Sequence, residues 1–156
     1  MLKLVNIKEE GAELQEIRTL FKQYETELDE NICFQSFEKE LENPLVKYGE
    51  PKGRLILAYW NDEIAGTIAL TPLKEEGVCE MKRLYVKPAF RSFKIGGQLV
   101  DQILQQAQEA GYTKMKLDTL TKLVAACELY RKRGFRETTP YYNNPLSNVV
   151  YFEKQL

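Results

Sequence analysis

The chain has 156 residues, of which 44% are hydrophobic and 29% are charged, a composition that fits a single globular domain over residues 1–156. It contains no histidine, and Cys33, Cys79 and Cys127 are far apart, which excludes Ser–His and Cys–His nucleophile pairs, most zinc sites and a disulfide framework. The N-terminus becomes charged too early for a secretory signal, and no apolar run approaches the roughly 20 residues of a membrane span. We therefore expect a cytoplasmic protein without metal, whose proton transfer depends on Glu, Asp, Tyr, Lys, Cys or water.

The charges are divided unevenly along the chain. Residues 1–80 carry nine basic and 17 acidic side chains, a net charge of −8, whereas residues 81–156 carry 13 basic and six acidic ones, a net charge of +7. The basic half suits a polyanionic small ligand and the acidic half a cationic one. The alternative is that the two halves attract each other in the fold. Nucleic acid is disfavoured as a partner because the whole chain is not basic.

The first part of the chain predicts a strand followed by helices. Leu2 to Ile7 alternates as a strand, and Gly11 to Glu27 places its apolar residues on one helical face. A second, short helix is predicted from Phe34 to Leu41, ended before Pro44. The stretch 47–53 contains Pro51 and Gly53 and predicts an irregular loop.

Three strands joined by short turns follow and predict an antiparallel meander. They are Arg54–Trp60, Ile64–Leu70 and Cys79–Val86. Pro88 ends the third strand, because proline cannot continue a sheet ladder.

The last part predicts a crossover and the end of the sheet. Helical spacing runs from Lys94 to Ala110, a strand covers Thr113–Asp118, and a second helix runs from Lys122 to Arg133. Strand, helix and strand in this order give a right-handed crossover between parallel strands. Final strands start at Phe135 and cover Val149–Phe152.

A turn rich in glycine and basic residues lies between the strand that ends at Val86 and the next helix. Gly96 and Gly97 let an anion approach the backbone closely, and Arg91 and Lys94 add positive charge. The start of a helix also exposes N–H groups and partial positive charge. The turn predicts a phosphate cradle. The alternative is an ordinary strand–helix connection whose glycines only ease packing.

Two segments carry a family pattern. Residues 84–96 read LYVKPAFRSFKIG, and residues 126–135 read ACELYRKRGF. The first resembles the Arg-x-x-Gly-x-Gly/Ala pyrophosphate loop, and the second the Ala-x-x-Leu-Tyr-x-x-x-Gly-Phe segment, of the GNAT superfamily of acyl-CoA-dependent N-acetyltransferases. The resemblance implies an α/β (α+β) fold with a mixed, mostly antiparallel sheet of about six or seven strands and about four flanking helices. In such a fold a splayed parallel strand pair holds the cofactor.

The sequence departs from the family pattern at two positions. Lys94 replaces the first glycine of the pyrophosphate loop, and Leu123 stands where an asparagine is often found. Lys94 keeps its backbone N–H and adds a charge, so phosphate binding is expected to persist.

The resemblance implies that acetyl-CoA binds along the strand end and the loop that follows. The pantetheine arm would pair with the backbone around Leu84 and Val86, and the pyrophosphate would lie on the amides of residues 91–97. The predicted cofactor-binding residues are Leu84, Tyr85, Val86, Arg91, Ser92, Phe93, Lys94, Ile95, Gly96, Gly97 and Gln98.

Two side chains are predicted to be catalytic. Tyr130 matches the tyrosine of the family segment, which implies that it protonates the leaving thiolate; the alternative is a core aromatic residue. Glu80 is the predicted base for the acceptor amine, because a lysine-like amine has a pKa of about 10.4 and must lose a proton before it attacks. The alternative for Glu80 is a solvent-facing strand residue, and Asp118 is a weaker candidate. Cys127 lies on a buried helical stripe and is expected only to pack.

The predicted function is transfer of an acetyl group from acetyl-CoA to a primary amine of a small molecule, by direct attack in a ternary complex. An inactive acyl-CoA-binding sensor is the alternative. An ATP-like ligand is disfavoured because the sequence has neither a P-loop nor a dinucleotide fingerprint. A homodimer through edge strands is common in the resembling family. The predicted substrate-binding residues are Phe34, Gln35, Asp118, Tyr141, Tyr142 and Asn143.

Overall fold

A mixed sheet runs through the computed structural model, which describes residues 1–30 and 36–156. Its seven described strands are β1 (Leu2–Asn6), β2 (Arg54–Trp60), β3 (Glu63–Pro72), β4 (Val78–Val86), β5 (Lys114–Leu120), β6 (Arg136–Thr138) and β7 (Val149–Gln155). They lie in the order β1-β2-β3-β4-β5-β7-β6. Every neighbouring pair is antiparallel except β4 and β5, which are parallel.

Helices pack on both faces of this sheet. The described α-helices are α1 (Ala12–Leu28), α2 (Phe37–Glu42), α3 (Pro44–Tyr48), α4 (Ile95–Glu109) and α5 (Val124–Lys132), and a 3₁₀ helix covers Pro88–Phe93. The predicted fold class, a mostly antiparallel mixed sheet with flanking helices and one parallel pair, is confirmed. Within the described ranges, no helix combines the length and the apolar character that a membrane crossing requires.

The apolar faces of the long helices divide the core into two clusters, one on each side of the sheet. On α1 and α4 the buried residues recur every three or four positions, so each helix presents one stripe to the strands. The α4–α5 side contains Ile56, Ile68, Leu70, Leu99, Ile103 and Phe152. The α1–α3 side contains Ile17, Leu20, Phe21, Phe37, Tyr48 and Leu57.

The parallel pair separates after a short ladder. β4 and β5 are paired only from Val78–Lys114 to Glu80–Lys116, although β4 continues to Val86 and β5 to Leu120. We call this divergence the fork. Beyond Glu80 the edge of β4 that faces β5 has no ladder with it, so backbone groups there are available to a bound chain.

A β-bulge bends β4 at the fork. The register with β3 shifts between Thr67 and Ala69, and Arg83 has a φ of 60°. An extra residue in one strand bends that strand and increases its twist. Gly66 permits the close approach of β3, because a Cβ on this residue would lie 2.5 Å from the carbonyl oxygen of Tyr85.

The structure corrects the sequence-based prediction around Pro44. Pro44 ends the helix before it, as predicted, but it also begins α3, so the predicted irregular stretch 47–53 is wrong for Lys47 and Tyr48. Proline suits the first position of a helix, where its missing N–H is not needed. The described part of the second predicted helix runs from Phe37 to Glu42.

Candidate active site

A large cavity lies beside the bulged strand. It encloses about 630 Å³ and is lined by β4 residues 84–86, by the starts of α4 and α5, and by the end of α1. Two helix N-termini therefore face one cavity, and each contributes unpaired N–H groups and partial positive charge. Arg91, Lys94 and Lys122 also line it, against one carboxylate, that of Glu27. This arrangement suits a polyanionic ligand such as a pyrophosphate. We call this cavity the groove.

Arg91 fixes the loop that leads into α4. Its Nε donates to the carbonyl oxygen of Val86 at 2.9 Å, and its Nη2 pairs with Glu27. The guanidinium also lies 5.7 Å from the ring centroid of Tyr85. The hydrogen bond with Glu27 is the main cause that raises the pKa of Arg91. Arg91 thus connects β4, the loop and α1 at one wall of the groove.

Glycine and lysine conformations shape the floor of the groove. A Cβ on Gly96 would lie 3.7 Å from Leu129 and 3.9 Å from Val86, so the missing side chain leaves open space between α4 and α5. Lys94 has a φ of 60°, the left-handed conformation that glycine adopts most easily. The family pattern has glycine at this position, and Lys94 adopts a conformation that glycine favours.

The predicted cofactor-binding residues divide into two groups. Leu84, Tyr85, Val86, Arg91, Lys94, Gly96 and Gly97 line the groove. Ser92 is exposed, the ring of Phe93 stacks on Trp60 at 4.6 Å, and the Ile95 side chain is buried in the core. Gln98 lines a neighbouring cavity of about 570 Å³. The side chains of this second group do not face the groove.

A small inner cavity of about 80 Å³ lies in the fork itself. Tyr130 and Asp118 line it from α5 and β5, and Leu84 and Lys82 line it from β4. The Tyr130 ring packs against Phe135 and Phe152 at centroid distances of 5.9 and 6.0 Å. Burial raises the pKa of Tyr130 well above its ordinary value, so its hydroxyl keeps its proton at neutral pH.

A third cavity, of about 490 Å³, lies on the α1–α3 side of the fork, and we call it the outer cavity. Three of the predicted substrate-binding residues, Tyr141, Tyr142 and Asn143, line it together with Glu80. The Tyr141 hydroxyl donates to Glu80 at 2.7 Å, and the Tyr142 hydroxyl donates to Asp118 at 2.5 Å. Each carboxylate at the fork thus receives one tyrosine hydroxyl from the same loop.

Lys82 connects the inner and outer cavities, because it lines both. Its side chain is buried, with Nζ 3.9 Å from Glu80 Oε1. Burial is the main cause that lowers the pKa of Lys82 to about 8, while the charge of Glu80 acts in the opposite direction. Because Lys82 lines both cavities, the outer cavity lies directly beside the fork.

Several residues of these cavities were not predicted from the sequence. Tyr24, Glu27 and Leu28 of α1 line the groove, and no local pattern in α1 distinguishes them from ordinary helix positions. Val124 was detectable only in the structure, as an apolar side chain that is 60% exposed at the start of α5. Phe34 and Gln35 lie outside the described residues.

Among those described, no group of three or more His, Cys, Asp or Glu side chains is arranged to hold a metal ion.

Comparison with known proteins gives consistent results. The model of the acetyltransferase (GNAT) family matches residues 14–135. A Schizosaccharomyces pombe protein named as an uncharacterized N-acetyltransferase is 41% identical over 145 residues, which cover 92% of this chain and 89% of that protein. An acetyltransferase structure from Streptococcus agalactiae has a TM-score of 0.82 at 20% identity, covering 99% and 98% of the two chains. A GNAT family acetyltransferase from Elizabethkingia anophelis, solved with acetyl-CoA bound, has a TM-score of 0.69 at 21% identity, covering 99% and 98%.

Proposed function

We propose that this chain, which belongs to the GNAT family of acetyltransferases, transfers the acetyl group of acetyl-CoA to a primary amine of a small molecule by direct attack in a ternary complex. The fork is the observation that carries the proposal. The inner cavity, which Tyr130 and Asp118 line, shares Leu84 with the groove and Lys82 with the outer cavity. A donor in the groove and an acceptor in the outer cavity could therefore meet at the fork.

The residues of the groove fit acetyl-CoA, which supplies an activated acetyl thioester when it is bound. The N-termini of α4 and α5, with Arg91 and Lys94, would hold the pyrophosphate. Gly96 leaves space for it between the two helices. The edge of β4 beyond Glu80 would pair with the amides of the pantetheine arm, because β5 no longer pairs there.

Three groups of the chain would carry the chemistry. Glu80, which is buried and lines the outer cavity, accepts a proton from the acceptor amine. Backbone N–H groups of β4 beyond Glu80 stabilise the developing oxyanion. Burial raises the pKa of Tyr130, so its hydroxyl is protonated at neutral pH, and this hydroxyl donates a proton to the leaving thiolate. Asp118 lines the inner cavity with Tyr130 and is the second candidate for the base.

Two-substrate kinetics test this proposal. CoA release should be measured against acetyl-CoA concentration at several fixed concentrations of an amine taken from a broad panel. Direct attack predicts intersecting double-reciprocal lines and no release when the amine is omitted. Parallel lines with one equivalent of CoA released before amine is added would instead show an acyl-enzyme. A protein that binds acetyl-CoA but turns over none of the amines would be the sensor.

Three further properties stay predictions from the sequence: the cytoplasmic location, a homodimer, and one N-acetyltransferase domain over residues 1–156. The single domain is supported by the sheet, because one sheet contains both β1 and β7, the first and last strands of the described chain. In this sheet β1 and β6 are the edge strands that a dimer could use.

A further inference from the structure

The outer cavity has an excess of positive charge. Its charged lining residues are four lysines and two glutamates, namely Lys47, Lys74, Lys82, Lys116, Glu75 and Glu80. The lysines come from α3, from the β3–β4 connection, from β4 and from β5, so the fold brings together charges that are distant in the sequence. With a volume of about 490 Å³, the cavity is large enough for a small molecule.

Two of the carboxylates near this cavity, Glu80 and Glu40, are already engaged. Glu80 has the Tyr141 hydroxyl at 2.7 Å and Lys82 at 3.9 Å. Glu40, the carboxylate closest to Lys47 at 3.6 Å, also accepts two hydrogen bonds from Arg83. These contacts place a carboxylate near Lys82 and near Lys47, but not near the other two lysines of the cavity.

Lys116 and Lys74 carry the remaining charge. Among residues 1–30 and 36–156, no carboxylate oxygen lies within 4.0 Å of either ammonium group. Lys116 is half-buried, and its Nζ lies 5.3 Å from the ring centroid of Tyr141. A half-buried ammonium group that lacks a counter-charge gains most from an anionic ligand.

We infer that the acceptor amine carries a carboxylate, which binds Lys116 and Lys74 in the outer cavity while the amine reaches the fork. The inference rests on the proposed function and names the substrate class of the same site. Lys82 lines both the inner and the outer cavity, so an acceptor held in the outer cavity lies next to the fork. The apolar wall formed by Leu73, Val78 and the two tyrosine rings would contact its side chain.

The net charge of the chain segments points to a different acceptor. Residues 1–80 are acidic and would suit a cationic acceptor. Two of the four lysines, Lys47 and Lys74, come from that acidic part, and the cavity gathers them with Lys82 and Lys116. The local lining, and not the sum over half of the chain, decides which ligand is attracted.

Paired acceptors test the inference. The common L-amino acids, β-alanine and 4-aminobutyrate are each compared with their amides, which keep the amine and lose the carboxylate. At least one acid should exceed its amide about tenfold or more in kcat/KM, as expected for charge-assisted hydrogen bonds. Lys116→Met should remove this preference by raising the KM of the acid toward that of its amide. Lys114→Met is the matched control on the same strand, lines none of the cavities described above and should keep the preference.

Binding separates this inference from the proposed function. Calorimetric titration of the same acids and amides into the CoA-loaded protein should show an acid that binds about tenfold or more tightly than its amide, and weaker binding by Lys116→Met. Turnover of amides as efficient as that of every acid would overturn the inference and leave the proposed function intact. Binding of an acid without any turnover would support the carboxylate site and contradict the transferase function. Neither binding nor turnover of any acid would overturn the inference.

Discussion

Replacement of Tyr130 by phenylalanine is expected to lower kcat by a factor of about 10²–10⁴, because the proposed acid for the leaving group is lost. The hydroxyl is the only group removed, and the ring can keep its contacts with Phe135 and Phe152. Tyr130 lines the inner cavity but not the groove, so the KM for acetyl-CoA should change little.

Steady-state kinetics and thermal unfolding of the same preparations check this expectation. Tyr112→Phe is the matched control, because the Tyr112 hydroxyl donates to the carbonyl oxygen of Lys52 and the residue lines none of the described cavities. It should retain the kcat of the wild type. A Tyr130→Phe variant with wild-type kcat would show that Tyr130 is a core aromatic residue and that another group donates the proton.

Removal of the Glu40 carboxylate is expected to lower the free energy of unfolding by about 3–5 kcal/mol, because it leaves a buried guanidinium without its counter-charge. Arg83 binds Glu40 through Nε at 2.7 Å and Nη2 at 3.0 Å, and both side chains are nearly inaccessible. The guanidinium also lies over the rings of Tyr24 and Phe37. The pair connects α2 to the bulge that opens the fork.

Urea unfolding of Glu40→Ala and Glu137→Ala measures this effect against a matched control. Glu137 pairs with Arg131 at 3.5 Å on the surface, where such a pair contributes at most about 1 kcal/mol. A loss below about 1 kcal/mol in Glu40→Ala would contradict the assigned role of the buried pair.

The pH dependence of the Glu40 effect has a definite sign. Burial raises the pKa of Glu40, but the hydrogen bonds and charge of Arg83 outweigh burial and hold the pKa below its ordinary value. A carboxyl whose pKa is lowered in the folded state stabilises the protein fully above the unfolded pKa, about 4.3 for glutamate. This contribution is lost as the pH falls further through the folded pKa. The difference between wild type and Glu40→Ala should therefore be largest near neutral pH and shrink below about pH 4.

The long elements were predictable from the sequence because local signals agree with the tertiary fold. On α4 the apolar residues recur at helical spacing, and Gly111, just beyond the helix, has a φ of 94° as a left-handed C-terminal residue. The parallel pair followed from the order strand, helix, strand. In contrast, α3 has only five residues, and the burial of Pro44 and Tyr48 against the core supports it. A helix as short as α3 depends on these tertiary contacts, and five residues are too few to show a helical period in the sequence.

The groove was more predictable than the acceptor side. The glycines and basic residues near the start of α4 lie within seven positions of one another, so the sequence alone indicates their shared chemistry. The outer cavity combines Lys47, Lys82 and Lys116 with a late tyrosine loop, and only the sheet brings these together. Arg83 illustrates the same limit, because its partner Glu40 is 43 residues away and the bulge determines its position.

Binding of acetyl-CoA tests the central claim most directly, through thermal unfolding of wild type, Gly96→Glu and Gly11→Glu with acetyl-CoA, CoA or ATP. Gly96→Glu places a carboxylate where the pyrophosphate is proposed to lie, whereas Gly11 precedes α1 and has no atoms near its Cβ position. At 100 times its Kd, acetyl-CoA should stabilise wild type and Gly11→Glu by about 2.7 kcal/mol, while ATP should not, and Gly96→Glu should lose the effect. Equal stabilisation of Gly96→Glu, or none of the wild type, would contradict a cofactor site in the groove.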